Sequence, residues 1–178
     1  RALAQKHPDW TFCSYTAAVV YGLSVSHANL THIHIAAMPA QSTTPGSQVV
    51  RHRYAYRTRA SEMDIAVTDI DQTIADCLVD ASFVEGLIIA DSALHEQLLS
   101  KEHLVETVDR LGLNRRGVVT ARRVARCADG LSENGGESKA RALMIERGWQ
   151  VPELQVELFD PVEPGRPYRV DYLWRVGD

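Results

Sequence analysis

No apolar stretch in these 178 residues comes near the roughly 18 residues a membrane span needs; the longest, residues 16–21 and 86–90, fall far short. Cysteine is scarce. Cys13, Cys77 and Cys127 are an odd number, and no C-x-x-C occurs. That argues against a disulfide framework or a four-thiolate zinc site and fits a reducing cytosol, so a cytoplasmic location is expected. Each cysteine lies among small or apolar neighbours and reads as a small buried hydrophobe. G-x-x-x-x-G-K-[ST], G-x-G-x-x-G, G-x-S-x-G and H-E-x-x-H are all missing. Nucleotide hydrolysis, Rossmann cofactor binding, serine hydrolysis and zincin chemistry therefore have no positive support. The first residue is Arg1 and no charged-then-apolar leader follows it, so the chain is expected to be a trimmed or proteolytic piece.

What is present is ordinary in amount and uneven in distribution. Hydrophobic residues make up 45% and charged residues 24%, enough for a core in one large domain or two small ones. Net charge is −4, but residues 1–60 carry six Lys/Arg against one acid and residues 61–178 carry thirteen against twenty-two. Residues 110–128 hold six arginines and no acid. Such a patch attracts phosphate, whereas the acidic remainder argues against a protein that simply coats DNA.

Periodicity divides the chain. A helix end at residues 1–6 is broken by His7, Pro8 and Asp9. Ser14 is placed as N-cap of a helix over 15–21, with Gly22 just beyond it. Residues 31–38 alternate and are β-branched, which predicts a strand ending at Pro39; 41–47 read as a polar loop and 48–59 as a second strand. From Thr68 the period becomes helical. Thr68 or Asp69 caps a helix bearing Ile70, Ile74, Cys77 and Leu78, and Ser82 with Glu85 forms a capping-box pattern for a helix to about Gln97. Ser100 caps a helix closed by Gly112, and a fourth spans about 117–128. Residues 129–136 form a glycine-rich loop, where a subdomain boundary is placed. A helix over 137–147, closed by Gly148, precedes a hairpin: Leu154, Val156 and Leu158 alternate in one arm, Pro161, Pro164, Gly165 and Pro167 turn, and 168–175 form the other. No internal repeat is evident. The expected class is α/β (α+β): a small sheet with helices, a helical middle, and a C-terminal helix plus β-hairpin.

Two constellations carry chemistry. Glu137 falls in the first turn of its helix and Asp171 within a strand. Two carboxylates brought together from a helix and a strand can hold Mg²⁺, which activates water and clamps a phosphodiester. Equally, Glu137 can serve the helix dipole and Asp171 can pair with Arg169 or Arg175. The arginines Arg115, Arg116, Arg122, Arg123 and Arg126 are the second set. Arg122 and Arg126 are i,i+4 neighbours whose repulsion an anion would relieve, be it DNA or an acidic face of this protein. His32 and His34 alternate on one strand face, and a zinc site there would need a third ligand, for which His27 or His52 would be guesses; surface or structural histidines are the other reading. Asp91 lies on the apolar side of its helix and reads as a carboxylate bonding a backbone end or an arginine.

The stretch GGESKARALMIERGWQVPELQVELFD, followed by YRVDYLW, resembles the endonuclease-like domain related to very-short-patch-repair nucleases, of the PD-(D/E)XK fold. The upstream strings SYTAAVVYGL, THIHIAAMP and AVTDIDQTIADCLVDASFVEGLIIADSAL resemble the AbiEi-type antitoxin-like region of abortive-infection toxin–antitoxin systems, which precedes that domain in actinobacterial relatives. The resemblance implies an antitoxin-like region over residues 1–130 and the start of a nuclease-like domain over 131–178. It implies that Glu137 and Asp171 are the helix and strand acids of a catalytic metal site, with Mg²⁺ in the full-length protein. A further acid or acid-x-lysine element belongs on the next strand, before which this chain ends, and Asp178 is not its substitute. The nuclease half is therefore expected to be incomplete and this chain alone inactive. The winged helix of relatives is likewise not expected within these residues. The expected function is a DNA-associated, antitoxin-like regulator of a defence system. The alternatives are a metal-dependent endonuclease in the full-length protein, or an interaction module. Expected partners are DNA, a cognate toxin or a second subunit, and no membrane.

Overall fold

The computed structural model describes residues 2–36, 48–53, 59–162 and 165–175. Its first part is a mixed sheet. Strands β1 (Thr11–Phe12), β2 (Ile33–Ala36), β3 (Val49–His52), β4 (Arg59–Glu62) and β5 (Ile65–Thr68) lie in the order β3-β2-β1-β5-β4. Phe12 pairs with Ile35 of antiparallel β2 and with Val67 of parallel β5. The apolar side chains of these strands, with Ile65 and Ala17, make one core cluster. The short helix α1 (Ala2–Lys6) lies against it through Ala4.

Strand β2 forms inside the expected range, whose last residues, 37 and 38, lie outside the described residues, as do Pro39 and the expected loop at 41–47. The expected strand over 48–59 contains β3 and the first residue of β4, with 54–58 outside the described residues. The β4–β5 hairpin was not expected. Its two-residue turn, Met63 (φ 49°) and Asp64 (φ 62°), has the twist of a type I′ turn without the glycine that usually announces one.

Helices fill the rest. They are α2 (Ser14–Val20), α3 (Ile70–Asp80), α4 (Phe83–His95), α5 (Lys101–Leu111), α6 (Val118–Cys127) and α7 (Gly135–Glu146). The expected caps mostly form: the Asp69 carboxylate accepts from the Gln72 N–H, Ser82 and Glu85 close a capping box, and Ser100 accepts from the His103 N–H. Ser14 is different. Cys13 occupies the cap position without a side-chain bond, and Ser14 begins the helix at φ 48°. Gly117 precedes α6 at φ 92°, and a Cβ there would meet the Val79 carbonyl at 2.0 Å, so only glycine fits.

Ile74, Leu78, Leu87, Ile89, Leu104, Val108 and Val124 are wholly buried in the helical core. Each such side chain contributes roughly 1.5–3 kcal/mol relative to exposure. Ala142 of α7 belongs to that same core, and α7 lies along α4. Beyond α7, β6 (Glu153–Leu158) and β7 (Tyr168–Leu173) form an antiparallel ribbon separate from the five-stranded sheet. The fold is α+β, as the sequence predicts. The expected boundary near residue 130 runs between helices that share one core.

Candidate functional site

The site is built on a buried ion pair. Asp91 of α4 and Arg141 of α7 are 0% and 1% exposed, and one guanidinium nitrogen reaches both carboxylate oxygens at 2.7 and 2.6 Å. A second guanidinium nitrogen donates to the Cys127 carbonyl at 2.8 Å, and the Asp129 N–H donates to Asp91 at 2.8 Å. Burial pushes the Asp91 carboxyl up, and Arg141 and the Asp129 N–H pull it back toward the ionised form. Asp91 is thus the structural carboxylate the sequence suggests, bonded both to a backbone end and to an arginine.

Glu137 lies one turn before Arg141. The Asn134 carboxamide oxygen caps α7 by accepting from the Gly136 and Glu137 N–H groups. The Glu137 carboxylate in turn accepts from the Glu133 N–H at 2.8 Å and from the Asn134 amide at 2.5 Å. The Tyr172 hydroxyl donates to the Glu137 carbonyl at 2.8 Å and ties β7 to the first turn of α7. Burial, then the charges of Glu137 and Asp171, raise the Tyr172 phenol.

Asp171, next along β7, is brought to the same place. The Gln155 side-chain amide donates to a Glu137 oxygen and to an Asp171 oxygen, each at 3.4 Å. The two arginines that could have neutralised Asp171 are engaged elsewhere. Arg169 pairs with Glu133 at 2.5 Å and Arg175 with Glu153 at 2.7 Å. Asp171 itself is exposed, not buried as its place among apolar strand residues suggests.

The donor set suits a hard cation such as Mg²⁺. It comprises the two carboxylates, with the Gln155 amide nitrogen between them and its carbonyl oxygen buried without a hydrogen-bond partner. Among the described residues no group of three or more His, Cys, Asp or Glu that could hold a metal ion converges, so the site offers two acids only. Gln155 escapes a reading of the sequence because it takes the polar place in an alternating strand, which is ordinarily solvent-facing.

The arginines do not share one face. Arg115 turns inward to Asp76 at 2.6 Å, where burial pushes the Asp76 carboxyl up to about 6 against the pull of Arg115. Arg122 pairs with Asp109 at 2.6 Å, Arg123 covers the Phe83 ring at 4.1 Å, and Arg126 donates to the Arg122 carbonyl. Arg116, Arg123 and Arg126 are exposed. Of the histidines, His32 bonds Thr31, whereas His34 is buried with its Nδ1 2.7 Å from His52 Nε2.

No protein-family model matches the chain, and no solved structure matches it. It is 28% identical over 163 residues to an uncharacterised protein of Mycobacterium tuberculosis, found in the Oshkosh and H37Rv strains. The match takes in 91% of this chain and 58% of the relatives' length.

Proposed function

We propose that this chain supplies two metal-binding carboxylates, Glu137 and Asp171, to a metal-dependent endonuclease-like protein. The observation that supports this reading most is the convergence of the two acids on one Gln155 amide, with the neighbouring arginines committed to other partners. The very-short-patch-repair-like resemblance points the same way. A divalent cation held there would supply Lewis-acid stabilisation of a phosphodiester and an activated water. The residues' own work is positional. Asn134 and the Glu133 N–H orient the Glu137 carboxylate, the Tyr172 hydroxyl holds strand to helix, and the Asp91–Arg141 pair holds the helix to the core.

The test is Mn²⁺ binding to the purified chain, followed by calorimetry and electron paramagnetic resonance. Glu137→Gln and Asp171→Asn should each weaken binding by at least about tenfold. Equal binding in wild type and both variants would defeat the reading.

The exposed face of α6 supports a second reading: an antitoxin-like regulator contacting DNA or a cognate toxin. Arg123 and Arg126 stand there with Val119, which is 76% exposed, and the exposed Arg116 lies in the turn just before the helix.

A further inference from the structure

Helices α5 and α6 present opposite charges on neighbouring ridges. They run antiparallel: the Lys101 ammonium at the start of α5 donates to the Arg126 and Ala128 carbonyls at the end of α6, and Asp109 in the last turn of α5 pairs with Arg122. A trough of about 290 Å³ runs between them, lined by Val105, Val108, Asp109, Arg122, Ala125 and Arg126. On one bank Glu102, Glu106 and Asp109 stand exposed at i, i+4 and i+7, opposite the buried Leu104, Thr107 and Val108. On the other bank the exposed Arg126 lies one turn beyond Arg122, with the exposed Arg123 beside them. The other charges of α5 point away, because His103 and Arg110 both hold Asp71 of α3. Glu102, Glu106, Arg123 and Arg126 make no ion pair among the described residues. Glu102 with Glu106, and Arg122 with Arg126, are like charges at i,i+4, a spacing that costs stability until an opposite charge covers it.

We propose that this face is a dimer interface whose occupant is a second copy of this chain. The inference stands apart from the reading of Glu137 and Asp171. In a two-fold dimer a patch meets its own copy, so it must be self-complementary. A two-fold axis parallel to the helices lays α5 of one copy over α6 of the other. Glu102 and Glu106 then face the partner's Arg126 and the partner's Arg123, and the same contacts form a second time by symmetry. The two troughs meet, and the half-buried Val105 faces the space between them. An axis across the helices would stack acid on acid and arginine on arginine. The charges therefore select one orientation, which is what electrostatic complementarity does best. Nucleic acid fits this face less well, since three carboxylates on one bank would repel a phosphate backbone.

The experiment is sedimentation of the purified chain from roughly 1 µM to 0.1 mM, a range that reveals a dimer of micromolar Kd. Wild type should dimerise with concentration, and less so in high salt. Glu106→Arg and Arg126→Glu should each weaken the dimer by at least about tenfold. An equimolar mixture of the two variants should dimerise again, because the reversed charge of one meets the reversed charge of the other. Both changes in one chain should do the same. Wild type that stays monomeric throughout, or a dimer indifferent to both changes, would overturn the proposal. So would a mixture that does not recover, with both variants melting like wild type. Binding of a short DNA duplex by a chain that stays monomeric, lost in Arg126→Glu, would overturn it in favour of nucleic acid. Should a variant fail to fold, hydrogen exchange of wild type decides. Protection of α5 and α6 that rises with concentration supports the interface, and protection independent of concentration overturns it.

Discussion

His34 shows how one side chain couples the sheet to pH. Its ring is buried, stands edge-on to Tyr15, and shares a hydrogen bond with His52 of β3, with Asp80 of α3 the acid close enough to favour its charge. Burial first, then His52, lowers it to about 4 from the ordinary 6.5. The unfolded chain therefore binds more protons than the folded one between those values. The neutral ring's contribution is present above about 6.5 and is lost as pH falls toward 4. Asp76, pushed up to about 6, has the opposite slope, so the informative quantity is the difference between wild type and variant. His34→Gln should flatten the fall in urea midpoint between pH 6.5 and pH 4. An unchanged slope would mean that the ring does not titrate in this window.

At the scale of elements, most helix boundaries were legible because their signals are local. Asp69, Ser82 and Ser100 sit where their side chains can accept from orphan N–H groups, and Gly22 and Gly148 follow their helices at φ 80° and 75°. The β4–β5 hairpin was not legible, since Met63 and Asp64 take left-handed conformations that their residue types rarely announce. The joint between α4 and α7 depends on a pair fifty positions apart. Asp91→Asn would leave the buried Arg141 charge without its counterion, at a cost of about 3–5 kcal/mol. Thermal and urea melting should show that loss. A loss under about 1 kcal/mol would mean that the pair is not the joint's main support.

For the whole molecule, the charge pattern of the sequence overstates the basic surface. Two of the five candidate arginines, Arg115 and Arg122, hold acids of this same chain. If α6 and the turn before it meet DNA, the triple change Arg116→Ala, Arg123→Ala and Arg126→Ala should flatten the log–log salt dependence by up to about three contacts at roughly 0.9 each, with little change in melting. Arg115→Ala should instead lower the melting temperature, because it strands the buried Asp76. An unchanged salt slope in the triple variant would remove α6 as a DNA contact.

By itself the sequence determined the α+β class, most of the helix caps and the structural role of Asp91. Each of these follows from periodicity, cap chemistry or the cost of burying charge, and all act within a few residues. Tertiary structure alone decided that Arg141 is the partner of Asp91, that Arg169 and Arg175 turn to Glu133 and Glu153, and that Gln155 stands between Glu137 and Asp171. The reason is physical. Which charge meets which is settled by the packing of distant elements, and no local pattern carries that information.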